Sequence, residues 1–419
     1  MGSSHTTRRQ FLQAAGLGAF AVAGTAGLGL AAKESLGRLV GTAGAATPSD
    51  FALGATDGRI SLPNLPQPRP TGLEHDELYI FGFRPVPLGM SVPNLISNYK
   101  GKAQTPAPIL DFKDEQTIHL TLTNLGLIQR PDLTDGHTIH WHGFRTPSAL
   151  YDGVPEVSVA VPIAKQFTYF YRPHDPGTYM WHCHFEDVEH VQMGMTGIVF
   201  VRPSKETPGG QKYVYDDTDG STAYDRHFAL LLNEIWSHPH DNGFSIQESI
   251  WTDYDPNYWI INGRVYPDTV KAKNDPTLPG QPISSLIQCN PGERVLLRLA
   301  NLGYEQHAMQ LPGIPMRVVG EDATLRQSPY MTNTIYIGPG EARDVIFVAP
   351  DYTPDFPALS DGLGSYNRYY FKNRDYSRLN NNGASDPVTG LGGMMTEVRV
   401  YHPGNAVPLS DDPNQTFGV

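Results

Sequence analysis

The chain has 419 residues, of which 39% are hydrophobic and 10% aromatic, and this is enough to build the cores of two or three domains. Its 31 lysines and arginines face 43 aspartates and glutamates, and the resulting net charge of -12 argues against a nucleic-acid-binding protein. The 42 glycines and 36 prolines suit an all-β protein with many turns, and two cysteines do not indicate a disulfide framework.

The first 45 residues are predicted to be an export signal. Thr7-Arg8-Arg9-Gln10-Phe11-Leu12 precedes a weakly apolar run rich in Ala and Gly, a pattern that resembles a twin-arginine signal. Cleavage would deliver the mature chain to the periplasm or the cell exterior with no stable membrane insertion. A retained N-terminal anchor is the alternative. Residues 46–75, rich in Pro, Gly and polar residues, are predicted to be an extended lead-in.

A first β domain is predicted over residues 76–203. Glu77 to Phe83, 116–122 and 166–171 are its strand candidates, and the last two alternate with the period of half-buried sandwich strands. Further along, residues 177–181 and 196–201 have the apolar, β-branched and aromatic composition of strands that flank a loop.

That loop concentrates metal ligands. It holds Cys183, His190, Met193 and Met195 within thirteen residues. A blue-copper site uses two histidines and a cysteine with a weak axial methionine, so Cys183, His190 and Met195 supply three ligands. His137, at the start of the stretch 137–143, supplies the fourth.

Four further histidines form a second set. His140 and His142 are two residues apart, so on a strand they project to the same side. His182 and His184 flank Cys183 with the same spacing and are expected to point away from the cysteine side. The four imidazoles would make half of a polynuclear metal site.

Two motifs carry a family resemblance: His137-x-x-His140-x-His142-Gly143, and His182-Cys183-His184 followed by a spaced His and Met. They resemble the signatures of the multicopper oxidases, the laccase-like family, and most resemble bacterial two-domain members with the blue copper in the N-terminal domain. Over residues 75–403 the resemblance implies two tandem cupredoxin-like Greek-key β-sandwich domains, with copper as cofactor in a blue type 1 site and type 2 or type 3 sites. It also places Asp152 beside the cluster, to orient water or relay protons; a turn-forming Asp-Gly is the alternative.

A linker at 204–225 leads to a second domain at 226–403 and a C-terminal tail at 404–419. The two domains share an internal repeat: residues 114–124 are echoed by 291–301, and the first histidine motif is echoed by His307 to Gly313. In the second copy the paired histidines are replaced by Gln310 and Pro312, and the place of the copper loop holds Lys372 and Arg374. The second domain is therefore predicted to be copper-free.

The resemblance implies a secreted copper-dependent oxidoreductase, laccase-like, that couples one-electron oxidation of a phenolic or metal-ion donor to O2 reduction. In two-domain members the oxygen-reducing cluster forms between neighbouring subunits, so a homo-oligomer, trimeric by analogy, is expected. The emptied second domain leaves two alternatives open: a nitrite-reductase-like enzyme with two coppers, and a non-catalytic blue-copper electron carrier. Acidic Glu186, Asp187 and Glu189 in the copper loop would attract cationic donors or form a solvated surface. His238-Pro239-His240 is expected to be a surface loop, with a role as compensating metal ligands as the alternative.

Overall fold

A computed structural model describes residues 50–356, 358–405 and 407. The predicted export signal at 1–45 lies outside these residues, and so does most of the predicted tail at 404–419. Within the described part of the chain, no helix combines the length and apolar character needed to cross a membrane.

The described residues are mostly strands. The strands are β1 (Phe51–Ser61), β2 (Glu77–Pro85), β3 (Leu110–Lys113), β4 (Ile118–Gly126), β5 (His140–His142), β6 (Gln166–Tyr171), β7 (Gly177–His182), β8 (Thr196–Arg202), β9 (Lys212–Tyr213), β10 (Ala223–Tyr224), β11 (Arg226–Ile235), β12 (Tyr258–Ile261), β13 (Ile287–Cys289), β14 (Arg294–Asn301), β15 (His307–Gln310), β16 (Met316–Glu321), β17 (Thr324–Thr332), β18 (Thr334–Ile337), β19 (Ala342–Val348), β20 (Ala358–Asp361), β21 (Gly364–Asn373) and β22 (Met395–Tyr401). The helices are α1 (Val92–Tyr99), α2 (Asp187–Gln192) and α3 (Ser237–Phe244), with 3-10 turns at Ala149–Tyr151, Trp251–Asp253, Asp268–Val270 and Tyr376–Arg378.

The first sandwich packs a sheet of order β2-β1-β4-β6 against a sheet of order β3-β8-β7-β5. Apolar side chains at every second position of these strands fill the space between them. The segment predicted as an extended lead-in contributes β1, which lies inside the first sheet, antiparallel to β2 and parallel to β4. β1 contains Gly54, Asp57 and Gly58, so its composition resembles that of a loop and does not predict a buried strand.

The second sandwich repeats this plan with sheets of order β12-β11-β14-β19-β16-β17 and β13-β22-β21-β15-β18. β11 runs parallel to β14 as β1 runs parallel to β4. A side-chain contact also recurs: Asn124 Nδ2 donates to Asp135 O at 2.9 Å, and Asn301 Nδ2 donates to Glu305 O at 2.8 Å. The prediction of an all-β chain with two β-sandwiches is confirmed, and the repeat extends to individual hydrogen bonds.

One buried carboxylate joins the two sandwiches. Asp344 of β19 accepts hydrogen bonds from Thr178 N and Oγ1 of β7 at 3.2 and 2.5 Å, and from Tyr215 Oη at 2.7 Å. The guanidinium of Arg298 on β14 lies 3.5 Å from the same carboxylate, and neither charged side chain reaches solvent. Two buried charges are tolerated here because each compensates the other.

We expect Asp344→Asn to lower the free energy of unfolding by about 3 kcal/mol, because it leaves the Arg298 charge buried without its counter-ion. Urea unfolding followed by tryptophan fluorescence measures this loss. Asp132→Asn is the matched control, since Asp132 pairs with Arg130 at the surface. The unfolding midpoint of this variant should equal that of the wild type. Equal midpoints for all three proteins would contradict the role given to Asp344.

Candidate metal centre

Cys183 lies between two imidazoles directly after β7. Its Sγ is 3.3 Å from His190 Nδ1 and 3.9 Å from His137 Nδ1. All three side chains are buried, and the three ligand atoms lie within 4.8 Å of one another. The structure therefore brings together the sulfur and the two nitrogens that the sequence analysis assigned to one mononuclear site.

Backbone hydrogen bonds join the two ends of the loop between β7 and β8, and they position His190 and Met195 relative to Cys183. Cys183 N donates to Met195 O at 3.1 Å, and Met195 N donates to His190 O at 2.9 Å. The short helix α2, which the sequence analysis did not predict, carries His190. Met195 is fully buried beside this loop, whereas Met193 accepts a hydrogen bond from Phe81 N at 3.0 Å through its carbonyl.

Electrostatics at this cluster favour a thiolate. Burial by itself raises the pKa of the Cys183 thiol, but the rings of His190 and His137 outweigh burial and hold that pKa well below its usual value. Burial lowers the pKa of His190, while the Cys183 thiolate and Asp135 raise it to about 10. A thiolate is the form of cysteine that binds metal, and one thiolate with two imidazoles is the blue-copper donor set. The residues present therefore fit copper.

A second layer of polar groups surrounds these ligands. Asp135 Oδ2 lies 3.9 Å from His190 Nε2, the ring nitrogen that faces away from the sulfur. Thr138 N lies 3.5 Å from Cys183 Sγ, and Thr138 Oγ1 accepts a hydrogen bond from His184 N at 2.9 Å. Such outer contacts orient metal ligands. Asp135 was not predicted from the sequence, although an acidic residue stands two positions before both His137 and His307.

The four remaining motif histidines form a second cluster. β5 pairs with β7 so that His140 lies opposite His182, and nitrogens of His140, His142 and His182 lie within 4.8 Å of one another. The ring of His184 is 5.0 Å from that of His140 between centroids. Burial lowers the pKa of His140 and His142, and that of His182 to about 3. These imidazoles are therefore held in the neutral form that binds metal.

Two nitrogens of this cluster have no protein partner. His142 Nδ1 and His182 Nε2 are buried and make no hydrogen bond. A buried polar atom without a partner is costly, and a metal ion would satisfy both. This is a second, independent sign that the cluster fits a metal.

Asp152 acts on the cluster mainly through its backbone. Its carbonyl oxygen lies 2.7 Å from His140 Nδ1, while its carboxylate is 3.7 Å from the same nitrogen. The carbonyl bond fixes the proton on Nδ1 and turns Nε2 of His140 toward the other rings. The part-exposed carboxylate remains available beside the cluster.

The second sandwich repeats the register of the first without its ligands. Where His140 pairs with His182 between β5 and β7, Gln310 pairs with Lys372 between β15 and β21. The next residue along the chain, at the position of the cysteine in the first sandwich, is Asn373. Neither an amide nor an ammonium group replaces imidazole as a copper ligand.

His307, the remaining histidine of the second copy, is held by other side chains. Its Nδ1 lies 3.2 Å from Asn373 Nδ2, and its Nε2 lies 2.5 Å from Glu234 Oε1. Asn373 Nδ2 also lies 3.5 Å from Met394 Sδ. Because Nδ1 accepts and Nε2 donates, the imidazole is fully satisfied by protein. This donor set contains no thiolate and does not fit a blue-copper site.

The expectation of a surface loop at His238-Pro239-His240 is wrong for His240. His238 is exposed, but His240 is buried in α3, where its Nδ1 contacts Tyr79 O at 2.6 Å. Burial lowers the pKa of His240 to about 4. The helix α3, which the adjacent proline did not suggest, turns this ring inward against β2.

Two family models, each described as multicopper oxidase, match residues 99–206 and 227–364. Laccase-5 of Arabidopsis thaliana is 31% identical over 252 residues, 58% of this chain and 37% of that protein. Laccase-2 of Botryotinia fuckeliana is 29% identical over 257 residues, 60% of this chain and 39% of that protein. The chain thus spans about two fifths of the length of these curated relatives.

Solved structures share the fold at low identity. A blue copper oxidase from Nitrosomonas europaea superposes with a TM-score of 0.59 at 22% identity, covering 87% of this chain and 92% of that one. A copper nitrite reductase from Nitrosomonas europaea gives a TM-score of 0.52 at 16% identity, covering 84% and 93%. The two β-sandwiches therefore have the cupredoxin-like fold that the sequence motifs implied.

We expect the copper-loaded protein to show the intense blue absorption of a thiolate-to-Cu(II) bond. Cys183→Ser should abolish it, because a hydroxyl does not replace the thiolate. Cys289→Ser is the matched control: Cys289 is buried in the second sandwich, burial raises the pKa of its thiol, and the spectrum should not change. A colourless wild type with a full complement of copper would contradict the site.

Proposed function

Because the chain belongs to the multicopper oxidase family, we propose that it is a secreted, laccase-like oxidoreductase that oxidises a small donor one electron at a time and delivers the electrons to O2. The observation that carries this proposal is the position of Cys183. Its sulfur converges with His137 and His190, while the residues on either side of it belong to the four-histidine cluster.

The roles of the chain's residues follow from that arrangement. His137, Cys183 and His190, with Met195 as the weak axial ligand, would hold a copper that accepts single electrons. The peptide bonds on either side of Cys183 lead directly to His182 and His184, so a covalent path joins the two ligand sets. Asp152 holds the His140 ring in orientation through its carbonyl and places a carboxylate near the cluster for proton relay.

The copper cluster that would reduce O2 needs more protein ligands than one chain provides. Reduction of O2 to water takes four electrons, and we assign it to coppers of type 2 and type 3 bound by the four-histidine cluster. The matching positions of the second sandwich offer no imidazole. We therefore propose a homo-oligomer, trimeric by analogy with two-domain relatives, in which other residues of a neighbouring subunit complete the cluster.

We propose that the electron donor is a phenol or a metal ion. For a metal-ion donor, carboxylate oxygens of Asp135 and Glu186 lie within 4.8 Å of each other and of a ring nitrogen of His190. Oxygen ligands of this kind attract hard divalent cations. The export of the protein to the periplasm or cell exterior is supported by the Arg8-Arg9 signal pattern.

Two other functions have specific support. Convergence of His140, His142 and His182 is enough for a single additional copper, as a nitrite-reductase-like enzyme would use. A lone blue copper, with the four-histidine cluster empty, would make the protein an electron carrier. Copper content separates all three functions.

We expect about four coppers per chain in the assembled protein, with O2 uptake when a phenol or Fe(II) is added. His142→Ala should reduce O2 uptake by about 100-fold or more, because it removes a cluster ligand, yet keep the blue absorption. His75→Ala, at an exposed position, is the control and should leave both unchanged.

Two coppers per chain with nitrite turnover would contradict the oxidase and support a nitrite-reductase-like enzyme. One copper per chain, with neither O2 uptake nor nitrite turnover, would support an electron carrier.

A further inference from the structure

We propose that a cavity on the first sandwich, away from the copper ligands, is the binding site for an aromatic donor that carries both a phenol and a carboxylate. The cavity has a volume of about 540 Å³ and its lining includes Asp57, Arg59, Tyr79, Arg84, Lys102 and Phe244. A cavity of this size accommodates a substituted single ring. This inference rests on the proposed function, because it names a substrate class for the same blue-copper site.

The charges at the cavity favour an anion. Arg84 donates to Lys102 O at 2.6 Å, and its Nε is buried with no hydrogen-bond partner. Within the described residues, no carboxylate lies at ion-pair distance from the Arg84 guanidinium or the Lys102 ammonium, whereas Arg59 pairs with Glu77 at 2.7 Å. Burial lowers the pKa of Arg84. A carboxylate on the ligand would supply the missing counter-ion to the Arg84 guanidinium and the Lys102 ammonium.

The walls of the cavity favour an aromatic ring. Tyr79 and Phe244 meet edge to face, with ring centroids 5.6 Å apart, and both are almost fully buried. The guanidinium of Arg59 lies over the Phe244 ring at 5.7 Å. A third ring packed against this pair gains contact area and an aromatic contact of the same kind.

A row of rings leads from this cavity to the copper ligands. β2 places Tyr79 and Phe81 on the same face because alternate residues of a strand share a face. The centroids of Tyr79 and Phe81 are 5.6 Å apart, and those of Phe81 and His190 are 5.7 Å apart. His190 itself is fully buried, and the rings of Tyr79 and Phe81 form a chain of contacts from the cavity lining to it.

The cavity also provides an acceptor for the proton. Asp57 Oδ2 accepts hydrogen bonds from Tyr79 Oη at 2.9 Å and from Gln129 N at 2.8 Å. Oxidation of the phenol to a phenoxyl radical releases one electron and one proton. The proton would pass to the Asp57 carboxylate, and the electron would pass by way of the rings of Tyr79 and Phe81 to His190, where a bound Cu(II) would accept it.

Direct binding tests the site without turnover. Calorimetry on the copper-loaded protein, chemically reduced under argon, should show 4-hydroxybenzoate binding about tenfold or more tightly than neutral 4-hydroxybenzyl alcohol, because a charge-assisted hydrogen bond is lost with the neutral ligand. Arg84→Gln should remove that preference. Arg145→Gln is the control, since Arg145 is exposed and pairs with Asp175.

Anaerobic bleaching of the blue absorption tests the connection to copper. Tyr79→Phe keeps the ring but removes the hydroxyl that holds Asp57, so it should slow reduction by 4-hydroxybenzoate about tenfold at unchanged affinity. Reduction by ferrocyanide, which releases no proton, should stay at the wild-type rate. Tyr336→Phe, at an exposed position of the second sandwich, should match the wild type in both reactions.

The inference is overturned if a blue, ferrocyanide-reducible protein binds the two ligands equally, or if Arg84→Gln and Tyr79→Phe behave as their controls do. Absence of the blue absorption in the wild type would overturn the proposed function instead, so the two failures are distinguishable.

Discussion

A negatively charged sulfur inside an apolar β-sandwich is the constraint on which this structure depends. The Cys183 thiolate is tolerable there because ring nitrogens of His137 and His190 lie beside the sulfur and Thr138 N faces it. These groups come from two segments, one that leads into β5 and one that follows β7, so the pairing of these two strands within one sheet brings the ligands together. The copper loop closes through backbone hydrogen bonds of its own, and the Met195 side chain packs in the core of the first sandwich.

The second sandwich shows what the same scaffold does when the thiolate is absent. With Asn373 in the place of the cysteine, no charge is available to hold an imidazole and a metal together. His307 is then satisfied by Glu234 on one side and Asn373 on the other. The pairing of β15 with β21 matches that of β5 with β7, so this part of the sheet forms without metal-ligand side chains at these positions. The repeat thus separates the residues that build the sandwich, such as Asn124 and Asn301, from those that bind copper.

The ligand motifs were predictable from sequence because their spacing is local: His140 and His142 share a strand face, and Cys183 lies between two histidines. The strands at 166–171 and 177–182 were predictable for the same reason. What the sequence did not reveal depends on contacts between distant segments. β1 is polar enough to resemble a lead-in until its pairing with β4 is known. His240 became buried only through the packing of α3 against β2, and the positions of Asp57 and Tyr79 had no motif to mark them.

In the proposed oxidase, electrons would enter the first sandwich at one sheet and leave it at the other. β2 lies in one sheet and covers His190 with aromatic rings, while β5 and β7 lie in the other and carry the four-histidine cluster. The segments 137–142 and 182–190 each carry ligands of both clusters, so the two metal sites that we propose share the same two stretches of chain. In the proposed oxidase, the donor side would be complete within the first sandwich, whereas the oxygen side would need ligands from a neighbouring chain.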